Sequence, residues 1–256
     1  MTPTLVAVAH GSRDPEALRT LTALRSLVRT LRPGLRVELA HIELNEPLLP
    51  DTLAALPAGG RAVLVPLLLG RGYHVKHDLP AALAAAPHLD AAVAPPLGPH
   101  PLLAHALHDR LLETGWTPDA AGRGRGGVVL AAAGSRDPDS AAGAARTAAL
   151  LSARLGGVPV LPAYASAAAP TITEAAAALR ARGGRHTALA SYFTAPGHFA
   201  ARCADAVPWP AAAPLGAHPA LARLVLHRYD GAVARTGAAY GRDAAVRTRG
   251  RAPLPV

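Results

Sequence analysis

The sequence predicts an α/β protein built from two tandem lobes, each a small parallel sheet flanked by helices. One indication is internal repetition, because Gly-Ser-Arg-Asp-Pro at 11–15 recurs at 134–138 and Pro-Leu-Gly-x-His-Pro at 96–101 recurs at 214–219. The other is that short apolar runs alternate with segments of helical period, a pattern typical of parallel sheets covered on both faces. A tandem duplication explains both observations.

The first half begins with the apolar run Thr4 to Ala9, which we expect to be a buried strand. Asp14 and Pro15 then predict a helix start, with aspartate as the N-cap and proline at the first helical position. Apolar residues at three- and four-residue spacing predict that this helix continues to about Leu31. Further strands are expected near 36–41, 62–69 and 91–94, and helices near 47–56, 75–85 and 101–112.

The second half repeats this alternation. Strands are expected near 128–132, 158–163 and 187–193, and helices near 139–155, 172–182 and 219–235. We assign the first lobe to 1–114, a linker to 115–127, whose glycines and arginines break every periodicity, and the second lobe to 128–236. The segment 237–256 carries arginines without an apolar face and is predicted to be a mobile tail.

The formal charge of +9 over 256 residues raises the question of a nucleic-acid partner. Aromatic residues make up only 4% of the chain, too few for base-stacking platforms, and Lys76 is the single lysine. GC-biased codon usage can supply much of the arginine. We therefore expect no nucleic-acid partner, whereas a small acidic substrate is compatible with the charge.

Cys203 is the only cysteine, which excludes an intramolecular disulfide and thiolate zinc sites. The N-terminus has no basic region before an apolar run, and 5–9 is too short for a signal core or a membrane span. We expect a cytoplasmic protein without membrane contact. Because the fused repeat already supplies two lobes, a monomer is expected, with a dimer as the alternative.

Three polar side chains lie where predicted strands of the first half end: His10, Glu43 and His74. In open parallel sheets ligands bind beyond the carboxyl ends of the strands, so these residues can converge. Imidazole and carboxylate suit first-row divalent ions. The pattern predicts a divalent metal site beside a proton acceptor. His77, one helical turn after His74, is either a further metal ligand or a residue facing solvent.

The second half differs where this chemistry would matter. Ala133 stands at the position of His10 and Ser166 at that of Glu43, while His198 answers His74. We therefore expect the first half to be catalytic and the second to be a scaffold.

Ser12 and Arg13 precede a predicted helix N-terminus, where backbone N–H groups favour anions. One interpretation is contact with a substrate carboxylate. Because the same pair recurs at 135–136, the alternative is a structural turn. Asp14 and Asp78 are interpreted as helix-start residues rather than as catalytic acids.

Three segments together resemble the sirohydrochlorin chelatases, the class II tetrapyrrole metal chelatases, in their long two-lobe form. They are Ala-His-Gly-Ser-Arg-Asp-Pro at 9–15, the segment 43–47, and Gly-Arg-Gly-Tyr-His-Val-Lys-His-Asp-Leu-Pro at 70–80. The resemblance covers about 4–112, with the second half as a degenerate copy.

The resemblance implies two similar lobes facing a cleft that holds the macrocycle. It also implies insertion of Co2+ or Fe2+, and in some relatives Ni2+, into sirohydrochlorin or a related acidic tetrapyrrole, in sirohaem or cobalamin biosynthesis. The metal is then a substrate, and neither ATP nor an organic cofactor is needed. The family's metal-handling histidines fall on His10 and His74, and its acidic residue on Glu43. Because insertion releases two pyrrole N–H protons, these three residues are expected to share ligand and base roles, in a division that stays open.

Two other classes of function use the same residues. A non-catalytic carrier would bind metal or tetrapyrrole without accelerating their union. A histidine phosphatase would use His10 as its nucleophile, but the arginine expected before that histidine is Ala9 here.

Overall fold

The computed structural model describes residues 2–118, 126–184 and 186–249, and its first lobe alternates strands and helices as predicted. The elements are β1 (Thr4–Ala9), α1 (Pro15–Leu31), β2 (Val37–His41), α2 (Leu49–Ala54), β3 (Arg61–Pro66), a π-helical turn (His74–Asp78), α3 (Leu79–Ala84), β4 (Asp90–Val93) and α4 (Pro101–Leu112). The strands form one parallel sheet in the order β2-β1-β3-β4.

The second lobe repeats this plan with a smaller sheet. Its elements are β5 (Gly126–Ala132), α5 (Pro138–Arg154), β6 (Val160–Tyr164), α6 (Ile172–Ala181), β7 (His186–Ser191), α7 (His198–Asp205) and α8 (Pro219–Arg249). The three strands are parallel in the order β6-β5-β7, so β5 is central as β1 is in the first lobe. The predicted α/β class with two parallel sheets is confirmed.

Helix starts repeat together with the sequence motif. The Asp14 side chain accepts a hydrogen bond from the Glu16 backbone N–H at 2.9 Å, and Asp137 accepts one from Asp139 at 3.0 Å. Each bond satisfies one of the N–H groups that a helix N-terminus leaves without an intrahelical partner. The Asp-Pro pair therefore fixes where α1 begins, as predicted, and it does the same for α5, which begins at Pro138 instead of near 139.

The two lobes share one hydrophobic core. Along β1, Leu5, Ala7 and Ala9 face this shared core, while Val6 and Val8 face a second cluster under α2 and α3. The shared core also takes buried residues from β5 and from helices α1, α4, α5 and α8. Because side chains alternate between the two faces of a strand, one face of each sheet packs against the other lobe and the opposite face packs against helices of its own lobe.

Equivalent residues join the lobes in both directions. The Arg110 guanidinium on α4 donates to the Leu215 carbonyl at 3.2 and 3.0 Å, and Arg228 on α8 donates to the Leu97 carbonyl at 2.9 Å. These pairs occupy matching positions of the internal repeat. The contact is therefore close to two-fold symmetric, as in a dimer of identical lobes.

Several boundaries differ from the sequence prediction. The helix α7 was not predicted. Helix α8 continues to Arg249 instead of ending near 235. Its last turns have no apolar periodicity, but alanine and arginine favour helix even without it. The predicted tail thus begins as helix, and its last residues, 250–256, lie outside the described part. Strand β5 begins at Gly126, inside the predicted linker, of which 119–125 lie outside the described residues. Across the described ranges, no helix combines the length and apolarity needed to cross a membrane.

Candidate metal-binding and catalytic site

The pairing of β1 with β2 places Glu43 beside His10. Ala9 pairs with His41, and beyond the strand ends the Glu43 backbone N–H donates to the His10 carbonyl at 3.0 Å. The hydrogen bonding between the two chain segments thus continues past β1 and β2 into the polar residues that follow them. As a result, His10 Nδ1 lies 3.5 Å from Glu43 Oε1.

Gly11 makes this close approach of backbones possible. Its φ is +108°, and a Cβ added there would lie 1.8 Å from the Glu43 carbonyl oxygen, so only glycine fits. The neighbouring Ser12 backbone N–H donates to Asn45 Oδ1 at 2.7 Å, and the Ser12 hydroxyl accepts from the Asp14 N–H at 3.1 Å. The bond to Asn45 joins the two loops, and the bond from Asp14 closes the turn before α1.

The third predicted residue, His74, reaches the same place from the loop after β3. The imidazole rings of His10 and His74 meet edge to face, with centroids 4.6 Å apart and an interplanar angle of 89°. The side chains of His10, Glu43 and His74 are 43%, 53% and 34% exposed, so a ligand can reach all three. The structure therefore brings the three predicted residues together.

Asp78 has a different environment from the predicted one. It ends the π-helical turn and stands at the N-cap position of α3, so it lies at a helix start as interpreted, but its carboxylate makes no helix-capping bond. Instead, Asp78 Oδ2 lies 2.6 Å from His74 Nδ1. The two residues are four positions apart, at the two ends of one π-helical turn, and this spacing allows their side chains to meet on one side of the segment.

Lys76, in the same turn, reaches the second lobe. Its Nζ lies 2.6 Å from Asp137 Oδ2 and 2.9 Å from Asp139 Oδ2, at the start of α5. The hydrogen bond from Lys76 lowers the pKa of the Asp137 carboxyl, and the two carboxylates raise the pKa of the Lys76 ammonium. The second lobe thus holds the segment that carries His74, a role that sequence reasoning missed.

The remaining predicted residues lie around this centre. His77 is exposed and its ring lies 4.6 Å from that of Tyr73, at an interplanar angle of 34°. Arg13 is exposed and has no ion-pair partner within the described ranges. Ser12 faces the other lobe, because a Cβ added at Gly197 would lie 3.4 Å from its hydroxyl. The ligand role of His77 and the substrate roles of Ser12 and Arg13 stay predictions.

The second lobe repeats the backbone of the site without its functional groups. Gly134 has a φ of +90°, and a Cβ there would lie 1.8 Å from the Ser166 carbonyl oxygen. The Ser166 N–H donates to the Ala133 carbonyl at 3.0 Å, as Glu43 does to His10. The Ser166 hydroxyl donates to that same carbonyl at 3.0 Å. The turn is equivalent, but no imidazole or carboxylate lies at these two positions.

In the first lobe, the His10 side chain contacts both Glu43 and His74. Across the residues that the structure describes, no group of three or more His, Cys, Asp or Glu side chains is already spaced to hold a metal ion. A cation bound by His10, Glu43 and His74 together would therefore require these partly exposed side chains to rearrange.

Comparison with known proteins assigns the chain to a family. A chloroplastic sirohydrochlorin ferrochelatase of Arabidopsis thaliana is 32% identical over 113 residues, 42% of this chain and 50% of that protein. A sirohydrochlorin cobaltochelatase of Priestia megaterium is 29% identical over 143 residues, 52% of this chain and 45% of that protein. The matches thus span about half the length of these relatives.

The fold agrees with a solved structure and with a family model. The structure described as SirB from Bacillus subtilis with Fe3+ superposes with a TM-score of 0.72 at 23% identity, over 89% of this chain and 94% of that one. The model of the CbiX family matches residues 4–114 and again 127–232. Since both halves match, the chain belongs to the CbiX family.

Proposed function

We propose that this protein inserts a divalent metal, Co2+ or Fe2+, into sirohydrochlorin or a related reduced tetrapyrrole, without ATP or an organic cofactor. The observation that carries the proposal is the convergence of His10, Glu43 and His74, half exposed, in one lobe facing the other. The relatives named as sirohydrochlorin ferrochelatase and cobaltochelatase support this substrate and these metals.

Metal insertion needs ligands that bind the ion loosely and then release it. Two imidazoles and one carboxylate suit first-row divalent ions, and their half-exposed position allows the ion to arrive with water still bound. We assign His10 and His74 as the metal ligands.

Insertion also needs acceptors for two pyrrole N–H protons. Glu43 is the most exposed of the three groups and lies 3.5 Å from His10 Nδ1. We assign Glu43 as the carboxylate that offsets metal charge and accepts a proton, with His10 able to accept the second as the metal leaves it. His77 is left out of the ligand set, because its ring packs against Tyr73.

Arg13 is the proposed contact for a peripheral substrate carboxylate. It is exposed, it adjoins the turn that carries His10, and within the described ranges it makes no ion pair. Ser12 is better explained as a turn residue, since its hydroxyl accepts from Asp14 just as Ser135 accepts from Asp137 at 3.1 Å.

The test is an anaerobic assay of sirohydrochlorin with Co2+, Fe2+ or Ni2+, in which the visible spectrum reports insertion. We expect Co2+ or Fe2+ to be inserted faster than in a protein-free control. Should the protein bind the metal and the macrocycle without accelerating insertion, it is a carrier and the enzymatic proposal fails.

A further inference from the structure

The contact between Asp78 and His74 points to a role for a carboxylate outside the three predicted residues. We propose that Asp78 is a positioning residue, which holds His74 so that its Nε2 lone pair is presented to the substrate metal. This inference rests on the proposed function, because it assumes that His74 binds the metal.

The Asp78 carboxylate is hydrogen-bonded to the His74 imidazole. Asp78 Oδ2 and His74 Nδ1 are 2.6 Å apart, at the short end of hydrogen bonds that involve a charged group. The two side chains are 36% and 34% exposed, so part of each is shielded from water. The Asp78 carboxylate caps no helix, and the π-helical turn begins at one of these residues and ends at the other.

The contact with Asp78 determines which nitrogen of the His74 imidazole carries the proton. A neutral imidazole has one N–H donor and one nitrogen lone pair, and the partner of one nitrogen determines the state of the other. An ionised Asp78 can only accept, so Nδ1 carries the proton and the lone pair is on Nε2. Metal-bound histidines commonly donate their second N–H to a carboxylate in this way, which fixes the tautomer and the ring orientation.

The second lobe lacks this arrangement. Counting from His198 as from His74, Arg202 stands at the position of Asp78. A guanidinium has no acceptor and cannot receive a hydrogen bond from Nδ1–H. His198 also opens an ordinary α-helix, α7, and its ring lies 5.7 Å from that of Phe199. The lobe without the His10 and Glu43 equivalents therefore also lacks the carboxylate that orients the histidine.

The test compares Co2+ binding by Asp78→Ala, Asp78→Asn and the control Asp51→Ala, each titrated anaerobically without tetrapyrrole. Asp51 is an exposed aspartate in the first turn of α2. We expect Asp78→Ala to weaken Co2+ binding about 10- to 100-fold, the usual effect of losing such a partner. Asp78→Asn should lose less, because its amide oxygen still accepts a hydrogen bond from Nδ1–H, and Asp51→Ala should bind Co2+ like the parent protein.

Nitrogen NMR of the imidazoles supplies a second measurement that a merely structural role would not move. In the parent protein the His74 ring should be in the Nδ1–H tautomer, and Asp78→Ala should shift it toward Nε2–H. Unchanged Co2+ affinity together with an unchanged tautomer would overturn the proposal. If circular dichroism shows that Asp78→Ala does not fold, Asp78→Leu, which is of similar size and has no acceptor for Nδ1–H, takes its place, and parent-like Co2+ affinity with an unchanged tautomer overturns the proposal.

His74→Ala separates this inference from the function on which it rests. If His74→Ala binds Co2+ like the parent protein, the proposed metal site is wrong. If His74→Ala weakens binding but Asp78→Ala does not, the metal site stands and only the positioning role fails. Neither outcome depends on whether insertion is observed.

Discussion

The two lobes have the same turn but different functional groups. Gly11 and Gly134 both adopt positive φ against a backbone carbonyl, and in each lobe the next strand's loop donates an N–H back across the turn. Only the first lobe has an imidazole and a carboxylate there, at His10 and Glu43. The backbone geometry is thus common to both lobes, whereas the side chains proposed to act on the metal are present in one lobe only.

The second lobe nevertheless contributes to the site. Its Asp137 and Asp139 bind Lys76, in the turn that presents His74, and its core is continuous with that of the first lobe. The second lobe, which has no equivalents of His10 and Glu43, therefore still holds the turn of the first lobe that carries the proposed ligand His74.

The largest difference between the lobes should appear on removal of a proposed ligand. We expect His10→Ala to lower the anaerobic insertion rate by at least about a hundredfold, in line with the contribution of a group acting directly on the reaction. Ser166→Ala, at the second-lobe position of Glu43, should change the rate less than about twofold, because its hydroxyl donates to the Ala133 carbonyl of its own turn. If both variants lost a comparable share of the insertion rate, the claim that the two lobes differ in function would be contradicted.

Substitution of the turn glycines sharpens the comparison, because the lobes should respond alike in stability and differently in activity. Gly11→Ala and Gly134→Ala each place a Cβ against a carbonyl oxygen at positive φ, and strain of this kind costs on the order of 1–3 kcal/mol or more. Thermal unfolding should show similar losses for both. Only Gly11→Ala displaces Glu43, so at a temperature where both variants are folded it should have the lower insertion rate.

Lys76→Ala tests the anchoring by the second lobe. Partly exposed ion pairs contribute roughly 0–1 kcal/mol, so the melting temperature should fall only slightly. We expect a modest rise in the Michaelis constant for the tetrapyrrole, because the turn carrying His74 loses its hold on α5. Arg36→Ala, which removes an ion pair with Glu38 inside the first lobe, is the control, and an equal rise there would refute the anchoring role.

The smallest effect concerns acid stability, in which the lobes should behave alike. Burial lowers the pKa of His41 and His100 in the first lobe and of His218 in the second. The unfolded chain then binds more protons than the folded one, so stability is lost as pH falls below the ordinary histidine range, about 6.5. Calorimetry from pH 8 to 5 should show a falling melting temperature, and His41→Asn should flatten that fall. A parent melting temperature that rises on acidification would contradict this sign.

The sequence predicts the parts of the fold that depend on local signals. Helix α1 begins at Pro15 and ends at Leu31 as expected, because an N-cap aspartate, a first-position proline and apolar periodicity coincide. The convergence of His10, Glu43 and His74 follows from the parallel order of their strands, which periodicity also indicates. These features need no tertiary information beyond the class of sheet.

The rest depends on contacts that periodicity does not encode. The π-helical turn that joins His74 to Asp78 differs from an α-helix by one hydrogen-bond register, which no sequence pattern here marks. The bonds of Lys76 to Asp137 and Asp139 join residues about 60 positions apart in different lobes. Helix α8 is longer than the stretch of sequence with apolar periodicity, so periodicity alone could not predict where the helix ends.

The central claim is that the first lobe carries the reaction, and the two histidines at equivalent positions test it most directly. Purified His74→Ala and His198→Ala, both checked for folding by circular dichroism, would be compared with the parent in one anaerobic insertion assay. We expect His74→Ala to have about one hundredth of the parent rate or less. His198→Ala should keep at least about half, since Ala133 and Ser166 already stand at the partner positions of its lobe. Loss of activity in His198→Ala with activity retained in His74→Ala would place the reaction in the other lobe.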